Sequence, residues 1–239
     1  MPQPARRASG AHLVYGELRR RILDLELRPG QRLNEQELST ALNVSRTPLR
    51  EALRLLLAED LIDQLPTGGM VVRSLSATDI RELYGVRAVL EGLIAAEAAQ
   101  RLTDADAVAL RGLLVRNERL VDLPDDAMHA GHDFHLRIAE VAGHEWASRL
   151  HGQVDVHMTR YRPFSNRTQE RRSTALAEHE AILDALLARD AARVRALAEA
   201  HVLHARDAAL ATLGRQLDEI GVSAGGTVAP AGRPGRTGA

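Results

Sequence analysis

The chain has 239 residues, of which 45% are hydrophobic, and its formal net charge is −1. This length and apolar content suffice for one or two domains with a buried core, while the lack of cysteine excludes disulfides and thiolate metal sites. All 31 lysine-plus-arginine positions are arginine, so affinity for nucleic acid must come from local guanidinium groups, which favour bidentate contacts. No stretch resembles a membrane span or secretory signal, and we therefore expect a cytoplasmic protein without a membrane partner.

The amino-terminal elements are predicted to be two short helices. After a polar arm at 1–10, which we expect to be disordered, an amphipathic helix over Leu13–Leu25 is closed by Arg28-Pro-Gly30. A second helix, Asn34–Leu42, begins at an asparagine that can cap it.

The third predicted helix carries the most informative pattern. Asn43 tolerates the left-handed backbone of a tight turn, Ser45 is a suitable N-cap, and Pro48 falls in the first helical turn, where its missing N–H costs nothing. Leucines at helical spacing anchor one face in a core: Leu49, Leu53 and Leu56. The opposite face presents Arg46, Thr47, Arg50 and Arg54. These residue types read guanine edges and hold phosphates, so the pattern predicts the recognition helix of a helix-turn-helix.

A hairpin is predicted next. Leu61–Leu65 and Met70–Arg73 are short strand-like runs on either side of Pro66-Thr-Gly-Gly69. This hairpin completes a winged helix-turn-helix domain over 11–75.

Residues 76–217 show only helical periodicity, which predicts an all-α antiparallel bundle after a linker at 74–78. The protein is therefore predicted to be mainly α. The predicted helices are Thr78–Arg101, Thr103–Val121, Asp125–Val141, Glu145–Tyr161, Gln169–Ala188 and Ala191–Leu213. Residues 218–239 are rich in glycine and proline, and we expect a disordered tail there.

Three histidines lie on three different predicted helices, each within an apolar stripe: His135, His179 and His201. An antiparallel bundle can bring side chains from facing helices to one interior point. Neutral imidazoles meeting there would suit zinc or nickel.

The chain resembles the GntR family of bacterial transcription regulators. The matching positions are Val14-Tyr15, Arg28-Pro-Gly30, Leu38, Val44-Ser-Arg-Thr-Pro48, Arg50-Glu-Ala-Leu53, Gly69 and Val72. The following segment resembles the start of the FadR-type effector domain, called FCD, through Asp79-Ile-Arg-Glu-Leu-Tyr84, Val86-Arg87 and Leu90-Glu91. The two resemblances together cover Leu13 to Leu213.

The resemblance implies a homodimer that binds a double-stranded DNA operator and responds to an effector. It places Arg46 and Arg50 on bases, Thr47 and Arg54 on the backbone, and Gly69 in the wing. A repressor of a metabolic operon, released from a palindrome by a small carboxylate, is the expected function. Gln36 stands where related regulators often carry a DNA-contacting arginine, and the wing lacks basic residues, so we expect fewer phosphate contacts than in a more basic relative.

Many FCD domains bind a metal through an aspartate one turn before the first histidine and three histidines. His135, His179 and His201 match the histidine positions, but Gly131 replaces the aspartate. Asp133 faces elsewhere on the helix, while His132 could lean into the site. Water or an effector carboxylate would then complete the shell of a bound zinc or nickel ion.

Arg87 and Arg160 resemble arginines that face the effector cavity in the family, where a guanidinium can grip a carboxylate. The alternative for Arg87 is a solvated i,i+4 salt bridge with Glu91, and for Arg160 a contact with a helix carboxyl terminus. We expect Arg171-Arg172 to form a solvated face and Trp146 and Phe134 to anchor the core. Four further histidines are expected to be surface or packing residues: His129, His151, His157 and His204.

Two other functions remain open from the residues alone. The protein could be a ligand-independent DNA binder, or the histidine cluster could be a hydrolytic metal centre tethered to DNA. No nucleophile paired with a base is found, so we do not expect an enzyme.

Overall fold

The computed structural model describes residues 10–219, with side chains through Arg215. It is mainly helical, as predicted, with a small three-stranded sheet near the amino terminus. The first part consists of α1 (Gly10–Leu23), β1 (Arg32–Leu33), α2 (Glu35–Leu42), α3 (Arg46–Ala58), β2 (Ile62–Gln64) and β3 (Met70–Val72). The second consists of α4 (Ala77–Arg101), α5 (Asp104–Arg119), α6 (Pro124–Ala142), α7 (Glu145–Met158), α8 (Arg162–Ser165), α9 (Gln169–Leu187) and α10 (Ala191–Glu219).

The turn between α2 and α3 follows from its capping residues. The side chain of Asn34 accepts hydrogen bonds from the backbone N–H groups of Gln36 and Glu37, which fixes the start of α2. Asn43 has φ 52°, the left-handed conformation that a tight helix exit requires. Ser45 is extended before α3, although its side chain makes no capping hydrogen bond.

The wing is a hairpin joined to a strand that sequence patterns did not predict. The strand order is β1-β3-β2, and Leu33 of β1 pairs with Met70 of β3. Gly68 and Gly69 turn the hairpin at φ 85° and 88°, a region that side-chain-bearing residues rarely adopt. β1 has only two residues, too few to show an alternating pattern.

One apolar cluster holds the first part together and determines which face of α3 is exposed. Leu49, Leu53 and Leu56 of α3 are fully buried against Leu18 and Ile22 of α1. Because these leucines repeat at helical spacing, the arginine-bearing face of α3 must point away from the core.

The second part is a bundle around α4 and α10, which pack closely along each other. A side chain at Gly92 of α4 would clash with Glu199 of α10, since an added Cβ would lie 2.6 Å from its Oε1. Phe134, Ile94 and Ile182 belong to the apolar cluster that joins α4, α6 and α9. Helices α6, α9 and α10 therefore present their histidine-bearing faces to a shared interior.

The predicted elements differ from the structure at α1, α8 and α10. The short helix α8 was not predicted, because four residues after a break give no periodic signal. Helix α10 continues to Glu219, past its predicted end and across the start of the predicted tail at 218. The predicted arm at 1–10 and tail at 218–239 otherwise lie outside the described residues, apart from Gly10, which begins α1. In the part of the chain that the structure describes, no helix combines the length and apolar character needed to cross a bilayer.

Candidate functional site

The outer face of α3 forms an exposed, arginine-rich surface. Arg46, Thr47, Arg50 and Arg54 are all exposed. The Arg46 Nη2 atom donates to Gln36 Oε1 at 2.8 Å, and Arg50 Nε donates to Glu35 Oε2 at 2.8 Å. The Arg50 side chain nevertheless remains 60% exposed. Helix α2 thus holds two guanidinium groups in place while leaving them accessible to an outside partner.

The wing contributes Gly69, which is exposed at the tip of the hairpin. Its carbonyl accepts a hydrogen bond from the Leu65 backbone N–H at 3.0 Å. The tip therefore has no basic side chain between Pro66 and Gly69.

In the second part, the three predicted histidines meet at one point in the bundle. The Nε2 atom of His179 on α9 lies 3.1 Å from Nε2 of His135 on α6 and 3.2 Å from Nε2 of His201 on α10. The candidate ligand atoms of the three residues all lie within 4.8 Å of one another. This convergence of three imidazole nitrogens is the arrangement that a zinc or nickel ion binds.

Two carboxylates lie against the histidines, Glu91 buried and Glu178 partly buried, and neither was assigned this role from the sequence. Glu91 Oε2 lies 3.0 Å from His135 Nδ1, and Glu178 Oε2 lies 2.7 Å from His201 Nδ1. A carboxylate that accepts the Nδ1 proton leaves Nε2 as a free lone pair directed at the centre. Both contacts join residues far apart in sequence, so local spacing gave no signal for them.

The donor set fits a cation. His201 donates from Nδ1 to Glu178, so its Nε2 atom is an acceptor. The buried Nδ1 atom of His179 has no hydrogen-bond partner among the described residues, so no contact of that ring nitrogen competes with ligation through Nε2. A divalent ion at the centre would engage all three lone pairs, with the Nδ1 proton then placed on each ring.

Burial keeps these imidazoles neutral. It lowers the pKa of His201 to about 4, despite the opposing hydrogen bond to Glu178. Burial, reinforced by the neighbouring histidines, holds the pKa of His179 well below its ordinary value. Burial also lowers the pKa of His135. Neutral imidazole is the form that ligates a metal.

A cavity of about 60 Å³ opens beside the histidines and is lined by four arginines: Arg87, Arg162, Arg171 and Arg172. Three of them pair with acids: Arg87 Nε lies 2.6 Å from Glu91 Oε1, Arg171 Nη1 lies 3.1 Å from Glu178 Oε2, and Arg162 contacts Asp155. Arg87 therefore lines the cavity and also makes the predicted i,i+4 pair. That pair is buried rather than solvated, with side chains 10% and 6% exposed.

The interpretation of Arg171 and Arg172 as a solvated face was wrong. Arg172 is 8% exposed. Its guanidinium donates to the backbone carbonyls of Val121, Asn166 and Arg167 at 2.6, 3.1 and 3.2 Å. No carboxylate within the described residues neutralises it.

Arg160 does not line the cavity, and its predicted effector role needs correction. Its guanidinium donates to the backbone carbonyl of Arg73, in the segment that joins the two parts. The chain turns between α7 and α8, so that Arg162, two residues later, faces the cavity instead. The neighbouring Tyr161 hydroxyl lies 3.5 Å from the Ser76 backbone nitrogen and 3.2 Å from Asp79 Oδ2.

Four other side chains can be compared with the predictions. Trp146 is 65% exposed, with Arg149 stacked 4.6 Å from its ring centroid, so it does not anchor the core. Phe134 is fully buried, as predicted. His151 is a buried partner of Glu91 at 3.1 Å rather than a passive packing residue. His132 lines the cavity but pairs with Arg162 and Asp155 instead of joining the three histidines.

A winged helix-turn-helix with an exposed arginine face, followed by a helical domain around a cationic cavity, defines a DNA-binding regulator with an effector domain. Two family models match the chain: "Bacterial regulatory proteins, gntR family" over residues 11–72 and "FCD domain" over residues 82–204. The chain belongs to the GntR family of transcriptional regulators and carries an FCD effector domain.

Curated relatives of this chain are also named transcriptional regulators. The chain is 30% identical over 191 residues to an HTH-type transcriptional regulator in an unstable DNA locus of Streptomyces ambofaciens, covering 79% of this chain and 80% of that protein. It is 36% identical over 119 residues to the Nta operon transcriptional regulator of Aminobacter aminovorans, covering 49% and 57% of the two chains. It is also 29% identical to the repressor RspR of Escherichia coli, covering 74% and 78%. These relatives are transcriptional regulators rather than enzymes.

Solved structures share the fold. A putative GntR regulator from Rhodococcus sp. RHA1 matches with a TM-score of 0.66 and 26% identity, covering 87% of this chain and 99% of that one. McbR/YncC of E. coli matches with a TM-score of 0.66 and 22% identity, covering 88% and 99%.

Proposed function

We propose that this regulator binds a palindromic operator as a homodimer and represses a metabolic operon until a small carboxylate releases it. The observation that supports operator binding most strongly is the exposed α3 face. Arg46 and Arg50 would contact base edges, Thr47 and Arg54 the phosphate backbone, and the Gly69 turn would let the wing approach the duplex closely. Repression is proposed because relatives such as RspR are named repressors.

Operator binding can be tested without a known site. Wild-type protein would select duplexes from a randomised pool, and the enriched sequences should contain two half-sites related by a dyad. Arg50→Ala should lose binding to the selected duplex, whereas Arg111→Ala, an exposed arginine on α5, should retain it. Enrichment of no common sequence by folded wild-type protein would contradict the proposal.

The homodimer is proposed to form through apolar side chains that α4 and α7 leave exposed. Val86 and Val89 on α4 are 52% and 62% exposed, and Trp146 and Leu150 on α7 are 65% and 45% exposed. Exposed apolar groups on two packed helices suit a protein–protein contact. Val89→Glu should shift the molar mass measured by light scattering to that of the monomer. Val108→Glu, at an equally exposed valine on α5, should leave the mass unchanged, and a dimeric Val89→Glu protein would exclude this interface.

The cavity is proposed to bind a carboxylate beside a divalent metal held by His135, His179 and His201. A bound zinc or nickel ion would act as a Lewis acid that holds an anionic oxygen. Arg172, which has no acidic partner within the described residues, adds positive charge to the same cavity. Elemental analysis should give about one metal per chain in wild-type protein and less in His179→Ala. A metal-free wild type that also shows no thermal shift with any acid would favour a ligand-independent DNA binder.

Coupling between the two parts is proposed to run through residues 160–162, here called the junction segment. Arg162 faces the cavity, while Arg160 contacts Arg73 and Tyr161 contacts Ser76, both in the linker between β3 and α4. Tyr161 also contacts Asp79 in the first turn of α4. A ligand that moves Arg162 would therefore move the linker, and with it the placement of the α3 surface. The effector changes operator affinity only if it binds more tightly to one placement of the α3 surface than to another.

A further inference from the structure

The loop that follows α1 contains a leucine in an unfavourable backbone conformation. Leu25 has φ 59°, in the left-handed region. Its backbone N–H donates to the Ile22 carbonyl at 3.2 Å, and the Leu27 N–H donates to the Arg21 carbonyl at 2.9 Å. These hydrogen bonds close the last turn of α1 and hold Leu25 in this conformation. The position is a helix exit of the kind that glycine or asparagine usually occupies.

Leucine is poorly suited to this backbone, because the Cβ atom crowds the main chain in the left-handed region. Asparagine and aspartate tolerate the region better. The other non-glycine residues of the first part that the structure describes with positive φ follow this rule: Asn43 at 52° and Asp60 at 53°. Leu25 breaks it, so a contact elsewhere in the molecule must compensate for the local cost.

The compensating contact lies on the helical part of the protein. The Leu25 side chain is half-buried and packs against an apolar cluster that includes Ile80 on α4 and Leu213 on α10. The buried residues of that cluster all follow the linker, and of the described residues before the linker only Leu25 packs against it. Leu23 and Leu27 belong instead to the core of the first part. Leu25 therefore connects the first part to the second.

This connection lies beside the covalent one. Leu75 of the linker packs on the same cluster, and Arg160 donates to the Arg73 carbonyl. A linker alone lets two parts rotate, whereas a second attachment from a distant position in the chain restricts the rotation. Burying half of a leucine side chain favours the docked placement by roughly 4-fold to 12-fold. Leu25 is thus able to bias the placement of the first part strongly.

We infer that Leu25 is a positioning residue for DNA recognition: it docks the winged helix-turn-helix on the helical part and thereby sets the half-site spacing that the regulator accepts. The two α3 surfaces of a dimer must enter major grooves at a fixed separation, so restricted rotation restricts the spacing. With Leu25 undocked, only the linker holds each DNA-binding part, and several spacings become acceptable. The inference rests on the proposed homodimer and palindromic operator.

Operators of altered spacing test this role. Two base pairs would be inserted or removed between the half-sites of the selected duplex, and dissociation constants of full-length protein would be measured by fluorescence anisotropy at one salt concentration. Wild-type protein should bind the selected spacing at least tenfold more tightly than either altered duplex. Leu25→Gly should reduce this preference to about threefold or less, whereas Leu25→Met, which keeps an apolar side chain of similar volume, should retain it.

The control introduces glycine at another left-handed helix exit. Asn43→Gly has the same backbone conformation but removes no contact with the apolar cluster, so its preference for the selected spacing should match wild type. A loss of preference in this variant equal to that in Leu25→Gly would contradict the role of the Leu25 side chain.

Spin labels test docking without DNA. The chain has no cysteine, so Thr40→Cys on α2 and Arg111→Cys on α5, both exposed, can be labelled specifically. Doubly labelled chains would be mixed with an excess of unlabelled protein, so that each measured distance lies within one chain. The distribution should be narrow with Leu25 or Leu25→Met and clearly broader with Leu25→Gly.

Hydrogen exchange separates positioning from a purely structural role. Glycine suits the left-handed backbone, so the core around α1 and α3 should not weaken in Leu25→Gly. Backbone amides of α3 should therefore exchange as slowly as in wild type or more slowly. Faster exchange in α3, with label distances that stay narrow, would show that Leu25 only stabilises the first part and would overturn the inference.

The remaining outcomes separate the inference from the proposed function. If wild-type protein selects no palindromic duplex, the proposed function fails and the spacing claim fails with it, while the label distances still decide whether Leu25 docks. If a palindrome is selected but folded Leu25→Gly keeps the tenfold spacing preference, operator binding stands and the role of Leu25 is wrong. Should Leu25→Gly not fold, Leu25→Asn gives the same comparison, because asparagine tolerates this backbone and removes the apolar contact.

Discussion

The α3 surface and the cavity beside the histidines are built in opposite ways. All of the α3 side chains come from one helix of 13 residues, and its fully buried leucines fix which face is exposed. The cavity collects residues from six helices, among them Asn117 on α5, Arg162 on α8 and His201 on α10. A substitution on the α3 surface alters one exposed side chain, whereas a substitution in the cavity disturbs the contacts between several helices. The two regions should therefore respond separately to mutation unless the segment between them is altered.

The largest expected effect isolates the α3 surface. Arg50→Ala removes one guanidinium from each half of the proposed homodimer. Each arginine–guanine pair contributes ~1–3 kcal/mol of discrimination, so operator affinity should fall by roughly 30-fold to 10⁴-fold. Fluorescence anisotropy with a selected duplex measures this loss. Metal content and the acid-induced thermal shift should match wild type, and a change in either would show that the regions are not separate.

Acidification should lower the free energy of unfolding through the histidines of the cavity. Burial lowers the folded-state pKa of His201 to about 4, below its unfolded value of about 6.5. Between these values the unfolded chain binds a proton that the folded chain does not, so the free energy of unfolding decreases as pH falls from about 6.5 to 4, by roughly 1–3 kcal/mol. Burial acts to raise the pKa of Glu178, but its histidine and arginine partners outweigh burial and lower the pKa to about 2. Protonation of Glu178 therefore lowers the free energy of unfolding further as the pH falls from about 4.5 to 2.

Chelator-treated protein is suited to this measurement, because a bound metal would itself depend on pH. Urea unfolding of wild type and of His201→Gln between pH 7 and 4 would be compared. The variant should show the smaller loss of stability over this interval. Equal slopes for the two proteins would contradict the assignment to His201.

A substitution in the junction segment should have an effect of intermediate size on the coupling between acid binding and operator binding. Tyr161→Phe removes the hydroxyl that contacts Ser76 and Asp79 but leaves Arg162 in the cavity. Coupling free energies of about 1–3 kcal/mol correspond to changes of about 5-fold to 150-fold. We expect the effect of an acid on operator affinity to shrink several-fold, while each ligand still binds the variant on its own. Undiminished coupling in Tyr161→Phe would remove the segment from the mechanism.

The smallest effect concerns the contact between α2 and α3. Glu35→Gln removes the acidic partner of Arg50, an exposed pair at 2.8 Å. Exposed pairs contribute about 0–1 kcal/mol, so nonspecific DNA affinity should rise about fivefold at most, because Arg50 no longer has to leave a carboxylate. Titrations at several salt concentrations would reveal the change. Glu37→Gln, another exposed acid of α2, serves as the control.

The same contrast explains what could be predicted from the sequence. The exposed arginine face of α3 could be predicted because capping and helical spacing are local signals. The meeting of the three histidines could be predicted because each interrupts an apolar stripe. Glu91 and Glu178 were missed because their contacts with the histidines depend on which helices pack together. Arg160 was assigned to the cavity in place of Arg162, because no periodic pattern marks the turn at α8.

A linkage experiment tests most directly whether the cavity controls the α3 surface. Operator affinity would be measured with and without a bound acid, and acid affinity with and without the operator duplex. Since linkage is reciprocal, both ratios should agree, and both should show that each ligand weakens the other by at least fivefold. An acid that binds wild-type protein in the cavity yet leaves operator affinity unchanged would contradict control of DNA binding by this site.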